Sequence, residues 1–167
     1  MQTISNVAFT ALSSGALVAT VVDIRVRRIP NALTATMAGI GVGLAASGVS
    51  GVTLAGSVLG FIVGFALMLP GHALGATGGG DVKFMAAVGA IVGPSMVVSA
   101  FLFTAVAGGV LALAVAIRRR RLATTIARTG RLIAGDAKKE IQAAPVSSRF
   151  AYGPAIAIGS VLAALIG

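Results

Sequence analysis

Four carboxylates occur in 167 residues, Asp23, Asp81, Asp136 and Glu140. They are where chemistry has to be sought, because other reactive groups are scarce. The chain has no cysteine and a single histidine, His72, which excludes disulfides, thiolate metal sites, a cysteine nucleophile and a two-histidine zinc centre. Asp136 and Glu140 stand four apart among Arg131, Lys138 and Lys139, a spacing that suits a solvated helical turn, and no function is assigned to them. Asp23 and Asp81 differ, since each lies where an apolar segment meets a polar boundary. Two carboxylates converging on one water form a minimal aspartic protease. Like charges at close range cannot both ionise, so one acid is protonated and one ionised. The ionised acid takes a proton from water, and the protonated one hydrogen-bonds the scissile carbonyl. No metal and no cofactor is required.

Taken singly, each acid also has a plain structural reading. Asp23 directly follows the first apolar segment and would neutralise Arg25, Arg27 or Arg28 at lipid headgroups. Asp81 precedes an apolar segment, and aspartate is a favoured helix N-cap. The run Gly78-Gly79-Gly80 before it removes side chains from the backbone, permits positive φ and lets another chain approach. A phosphate-binding Walker loop needs Lys-Ser/Thr after its last glycine. Asp81 occupies that place, so a nucleotide site does not fit.

The elements that must position these acids are membrane helices. Apolar residues make up 57% of the chain and charged residues 10%, against roughly 25% charged in soluble domains. A fold this small leaves much of its surface in water, so the solvent for most of this surface is lipid. A span needs about 20 apolar residues. Residues 4–22, 31–49, 52–70, 95–117 and 150–166 are predicted spans, with Pro70 and Gly71 closing the third. Between the third and the 95–117 span come a glycine-rich loop over His72–Gly80 and a short apolar piece, Val82 to Gly93, ended by Gly93-Pro94. That piece is too short to span and is expected to start inside the membrane. The result is an all-α bundle of about six transmembrane helices forming one domain over 1–167, with a short fourth helix. Glycines at four-residue spacing, Gly39/Gly43, Gly56/Gly60/Gly64 and Gly89/Gly93, are read as packing positions that let helix backbones approach.

Charge sets the orientation. The net charge is +9, concentrated in a basic loop over 118–149 and in the Asp23–Arg28 stretch. Lys and Arg beside apolar segments mark cytoplasmic loops. With both clusters inside, the helices alternate without conflict, the 71–81 loop is cytoplasmic and both termini lie outside. Nucleic acid is not expected as a partner, because base-stacking aromatics are nearly missing (no Trp, one Tyr). Arg118–Arg121 is assigned to anionic lipid. Lys83 has two readings, snorkelling to lipid phosphates or touching the carboxylate of the preceding loop. His72 reads as a solvated loop residue and Tyr152 as an interfacial anchor.

These residues resemble a known family. The segment Asp23-Ile-Arg-Val-Arg-Arg-Ile-Pro-Asn31 is similar to the first aspartate motif of type IV prepilin peptidases. Gly78-Gly-Gly-Asp81-Val-Lys83 resembles that family's GxGD motif with its following Val-Lys, and Ala151-Tyr-Gly-Pro-Ala-Ile-Ala-Ile-Gly159 resembles its last-helix segment, with Ala151 in place of the usual proline. The three stand in the family's order. GxGD alone is a weak signal; the combination is specific. The resemblance implies a membrane aspartic endopeptidase of the bacterial or archaeal cytoplasmic (inner) membrane. It would remove basic leaders from prepilin or pseudopilin precursors on the cytoplasmic side. Asp23 and Asp81 would be the catalytic pair, Gly78, Gly79 and Gly80 the loop at Asp81, and Lys83 an accessory residue. Larger members carry a region with paired cysteines that N-methylates the product. This sequence begins at the first helix without cysteine, so cleavage without methylation is expected, as in the short peptidases of tight-adherence (Flp) pilus systems. The Arg118–Arg121 run would repel a basic leader, which Asp23 and Asp81 would offset locally. Rival readings are a small ion-coupled transporter, for which internal repeats are missing, and a non-catalytic assembly subunit.

Overall fold

The computed structural model describes residues 4–75, 77–118 and 152–166. Among them the chain forms six α-helices and no strand: α1 (Asn6–Val26), α2 (Asn31–Ala46), α3 (Leu54–Ala73), α4 (Gly79–Val92), α5 (Pro94–Arg118) and α6 (Gly153–Ile166). The predicted bundle with its short fourth helix is the observed architecture. The basic loop expected over 118–149, with Asp136 and Glu140, lies outside the described residues except for Arg118 at the end of α5.

Three segments are long and apolar enough to cross a membrane, Asn6–Val26, Leu54–Ala73 and Pro94–Ala114; α2 and α6 are shorter apolar helices. Their outer faces carry exposed Leu17, Val18 and Val21 on α1, Leu59, Ile62 and Phe65 on α3, and Leu102, Val106 and Val110 on α5. Apolar surface of that extent is stable only against lipid. The chain is a multi-pass membrane protein.

The core is α4. Every residue from Asp81 to Val92 is buried except Lys83, and α4 touches each of the other five helices. Such enclosure requires close backbones, and glycine provides them. A Cβ on Gly60 of α3 would collide with the backbone of Gly89 and stand 2.9 Å from that of Gly93, and one on Gly64 would stand 2.5 Å from the Met85 carbonyl oxygen. From α2, a Cβ on Gly41 would lie 2.7 Å from the backbone of Ala90. Ser57 adds a buried hydrogen bond from its hydroxyl to the Ala90 carbonyl at 2.6 Å, a bond type worth roughly 0.6–2 kcal/mol between membrane helices. The packing role predicted for Gly60, Gly64 and Gly89 is therefore observed. Gly39 and Gly43 face open space instead; they point away from α4, and Gly41 between them makes the contact.

Helix ends follow capping chemistry. Ser5 and Thr53 accept from Ala8 N and Gly56 N at the starts of α1 and α3. Gly93, at φ 82°, turns the chain between α4 and α5, and Pro94 opens α5, a position where its missing N–H costs nothing. Two boundaries differ from the sequence reading. Pro70 does not close α3, which runs on to Ala73, and the Leu74 N–H reaches the Pro70 carbonyl at 3.0 Å. Proline removes only its own N–H, so the following turn still closes. The glycine-rich segment is correspondingly shorter as a loop, since α4 already starts at Gly79.

Candidate active site

The ends of α1, α3 and α5 and the starts of α2, α4 and α6 gather at one end of the bundle, as their alternation requires. Both acids lie there. Asp23 is not beyond α1, as the apolar run suggested, but inside its last turn, and it is buried. The helix continues past it because Arg27 supplies the cap. At φ 53°, a left-handed conformation uncommon for arginine, Arg27 donates its N–H to the Asp23 carbonyl at 2.8 Å. Arg25, Arg27 and Arg28 are all exposed.

The Asp23 side chain turns inward. Its Oδ2 accepts the backbone N–H of Gly153, the first residue of α6, at 2.9 Å. A helix N-terminus presents free N–H groups and partial positive charge, so this position is suited to a carboxylate. Space there is tight, since a Cβ on Gly153 would lie 2.7 Å from Asp23 Oδ2. The sequence reading missed this contact. Its signal was Gly153-Pro154 at the head of an apolar run, a pattern that opens a helix and leaves an N–H available.

Asp81 sits in the first turn of α4 and is also buried. It is not the N-cap; Gly78 holds that position, and Asp81, three residues on, accepts the Gly78 N–H through Oδ2 at 2.9 Å. This is the acidic half of a capping box. Gly80 presses the start of α4 against the chain between α1 and α2, where an added Cβ would stand 3.2–3.4 Å from Ile29 atoms. Gly79 lies open beneath the His72 ring.

The structure places the two acids at the same end of the bundle, Asp23 in the last turn of α1 and Asp81 in the first turn of α4. His72 is on the last turn of α3, not in a loop, and its Nδ1 donates to the Thr77 carbonyl at 3.1 Å. Tyr152, read as an interfacial anchor, is half-buried. Its hydroxyl packs where a Cβ on Gly108 of α5 would come within 2.7 Å. Lys83 does not turn to Asp81; its Nζ donates to Asn31 Oδ1 at 2.9 Å. Among the described residues no group of three or more His, Cys, Asp or Glu side chains could hold a metal ion.

Chemically, the site offers two buried carboxylates, each with one oxygen tied to a backbone N–H, at the polar end of a membrane bundle. No curated protein and no solved structure matches the chain. The family model described as the type IV leader peptidase family matches residues 10–113, a span that takes in both acids, the Gly78–Gly80 run and Lys83. With more than half of its length matched, this chain belongs to the type IV leader peptidase family.

Proposed function

We propose that this peptidase cleaves the basic leader from a prepilin or pseudopilin precursor at the cytoplasmic face of the inner membrane, with Asp23 and Asp81 as the catalytic pair. The observation that carries this reading is the placement of two buried acids in the last turn of α1 and the first turn of α4, at the same end of the bundle. An ionised carboxylate in a membrane bundle is costly unless it serves a purpose, and these two share one site.

The reaction follows from one shared proton. The ionised carboxylate removes a proton from water as the water oxygen bonds the peptide carbonyl carbon, and the protonated acid gives its proton to the carbonyl oxygen. The tetrahedral intermediate then collapses. The C–N bond breaks, the amine nitrogen takes the proton held by the first acid, and a hydroxyl proton returns to the second. The backbone donors Gly153 N and Gly78 N fix the carboxylates in place, which supplies the orientation such a step needs.

Arg25, Arg27, Arg28 and Lys83 share the end of the bundle that holds the acids, and the positive-inside rule supports a cytoplasmic site with both termini outside. Cleavage is the reaction these residues account for. The 167 residues contain no cysteine, and we propose that they carry out cleavage alone, leaving the new N-terminus unmethylated as in the short peptidases of Flp systems. Arg118–Arg121 is proposed to contact anionic lipid.

The test is co-expression of a prepilin with wild type, Asp23→Asn and Asp81→Asn, reading precursor size and the mass of the new terminus. Processing by wild type alone, with an unmethylated terminus, supports the proposal. Processing by either variant at the wild-type rate overturns the acid pair, and a methylated terminus overturns cleavage alone.

A further inference from the structure

A second tie joins the two acid-bearing segments away from the carboxylates. Lys83 is the single exposed residue between Asp81 and Val92, and it hydrogen-bonds Asn31, the first residue of α2, at 2.9 Å. Next to this bond, buried Ile29 packs on Gly80. The connection from Arg27 to Asn31 is thus fastened to α4 on both sides of Asp81, at positions 80 and 83. Its other end is fixed to Asp23 through the Arg27 cap.

This route matters because α1 and α4 touch each other far less than α2 and α4 do. Direct packing between the acid-bearing helices is sparse, so the α1–α2 connection sets the register between them together with α6, which packs on both. Snorkelling to phosphate, or contact with substrate, would make no use of Asn31.

We propose that Lys83 and Asn31 are positioning residues, whose hydrogen bond straps the α1–α2 connection to α4 and sets the separation of Asp23 and Asp81. The proposal rests on those acids being the catalytic pair. Displacing a reacting group by about 1 Å costs on the order of a hundredfold in rate, so a weak surface bond suffices to matter here.

The experiment compares full-length wild type, Lys83→Met, Asn31→Ala, the double variant, Lys83→Arg and Asn31→Asp in membranes, with a prepilin precursor as substrate and Asp23→Asn and Asp81→Asn alongside. The amount of inserted protein normalises each rate. Lys83→Met and Asn31→Ala should each lower kcat by about tenfold or more with KM unchanged. The double variant should be no slower than the slower single one, because both remove the same bond. Lys83→Arg and Asn31→Asp keep a donor and an acceptor and should recover most of the rate. Loss in Lys83→Met with Asn31→Ala at the wild-type rate would overturn the strap, as would losses that multiply in the double variant, a rise in KM alone, or wild-type rates throughout. If Lys83→Met fails to insert, the Asn31→Ala and Asn31→Asp pair decides. The catalytic reading fails separately, when an aspartate variant processes normally; inactive aspartate variants beside fully active Lys83→Met and Asn31→Ala reject the strap alone.

Discussion

Gly153 donates its backbone N–H to Asp23 Oδ2 at 2.9 Å, joining the first residue of α6 to the last turn of α1 across 130 positions of sequence. The bond makes α6 part of the acid's support, although the family match ends at residue 113. It also makes residue 153 intolerant of a side chain.

Gly153→Ala should therefore slow cleavage. The added carbon would stand 2.7 Å from Asp23 Oδ2 and 3.0 Å from its Cβ, so the carboxylate must move, at a cost of about ten- to a hundredfold in rate. Gly43→Ala, which meets nothing within 4 Å, should process normally. Initial rates per inserted molecule check both, and a fully active Gly153→Ala would show that Asp23 needs no fixed donor.

Substitutions at Gly80 should grade with size. An alanine there presses on Ile29 at 3.2–3.4 Å, a few tenths of an ångström that the neighbour can yield. A valine cannot be accommodated without moving the Ile29 segment away from α4. Activity should fall in the order Gly, Ala, Val, with Val lowering kcat by roughly a hundredfold. Equal rates for all three would show that the approach of Ile29 to α4 is irrelevant to turnover.

The α3–α4 interface predicts stability rather than rate. Gly60→Ala drives a methyl into the Gly89 backbone, and overpacking of this kind costs roughly 1–3 kcal/mol. Gly39→Ala has open space and should raise stability by up to about 1 kcal/mol through its better helix propensity. Thermal unfolding in detergent separates the two, and a reversed order would contradict the packing described.

Cleavage should persist through chelation. The described residues hold no cluster of metal-binding side chains, and the two-acid reaction draws its nucleophile from water by a carboxylate. Loss of processing in a chelator, restored by a divalent cation, would refute this mechanism.

Much of the site was legible from which residues are rare. In a chain that faces lipid, a carboxylate is expensive, so four acids could be sorted by their place relative to the apolar segments, and Asp23 and Asp81 stood apart from Asp136 and Glu140. The number and order of helices followed from apolar length and from breaks such as Gly93-Pro94. Contacts between distant segments did not follow. Four-residue glycine spacing pointed to Gly39 and Gly43, yet Gly41 meets α4, because spacing identifies a face without saying which face is turned inward. The bond from Gly153 was hidden for a related reason: a backbone donor leaves no trace in residue type. Lys83 was ambiguous because its partner, Asn31, lies 52 positions away in a separate motif. The end of α1 was placed too early, since a charged residue reads as the edge of a span even when, like Asp23, it points into the bundle.

The shortness of α4 has a consequence for water. At about 1.5 Å per residue, its 14 residues extend roughly 21 Å, well short of a hydrocarbon core of about 30 Å. One end is fixed, where Gly93 hands the chain directly to α5. At the other end Asp81 lies in the first turn, after the start at Gly79. A helix that short leaves part of the hydrocarbon thickness uncovered beyond its ends, so water reaching Asp81 in its first turn would enter through the bundle rather than along a full-length helix.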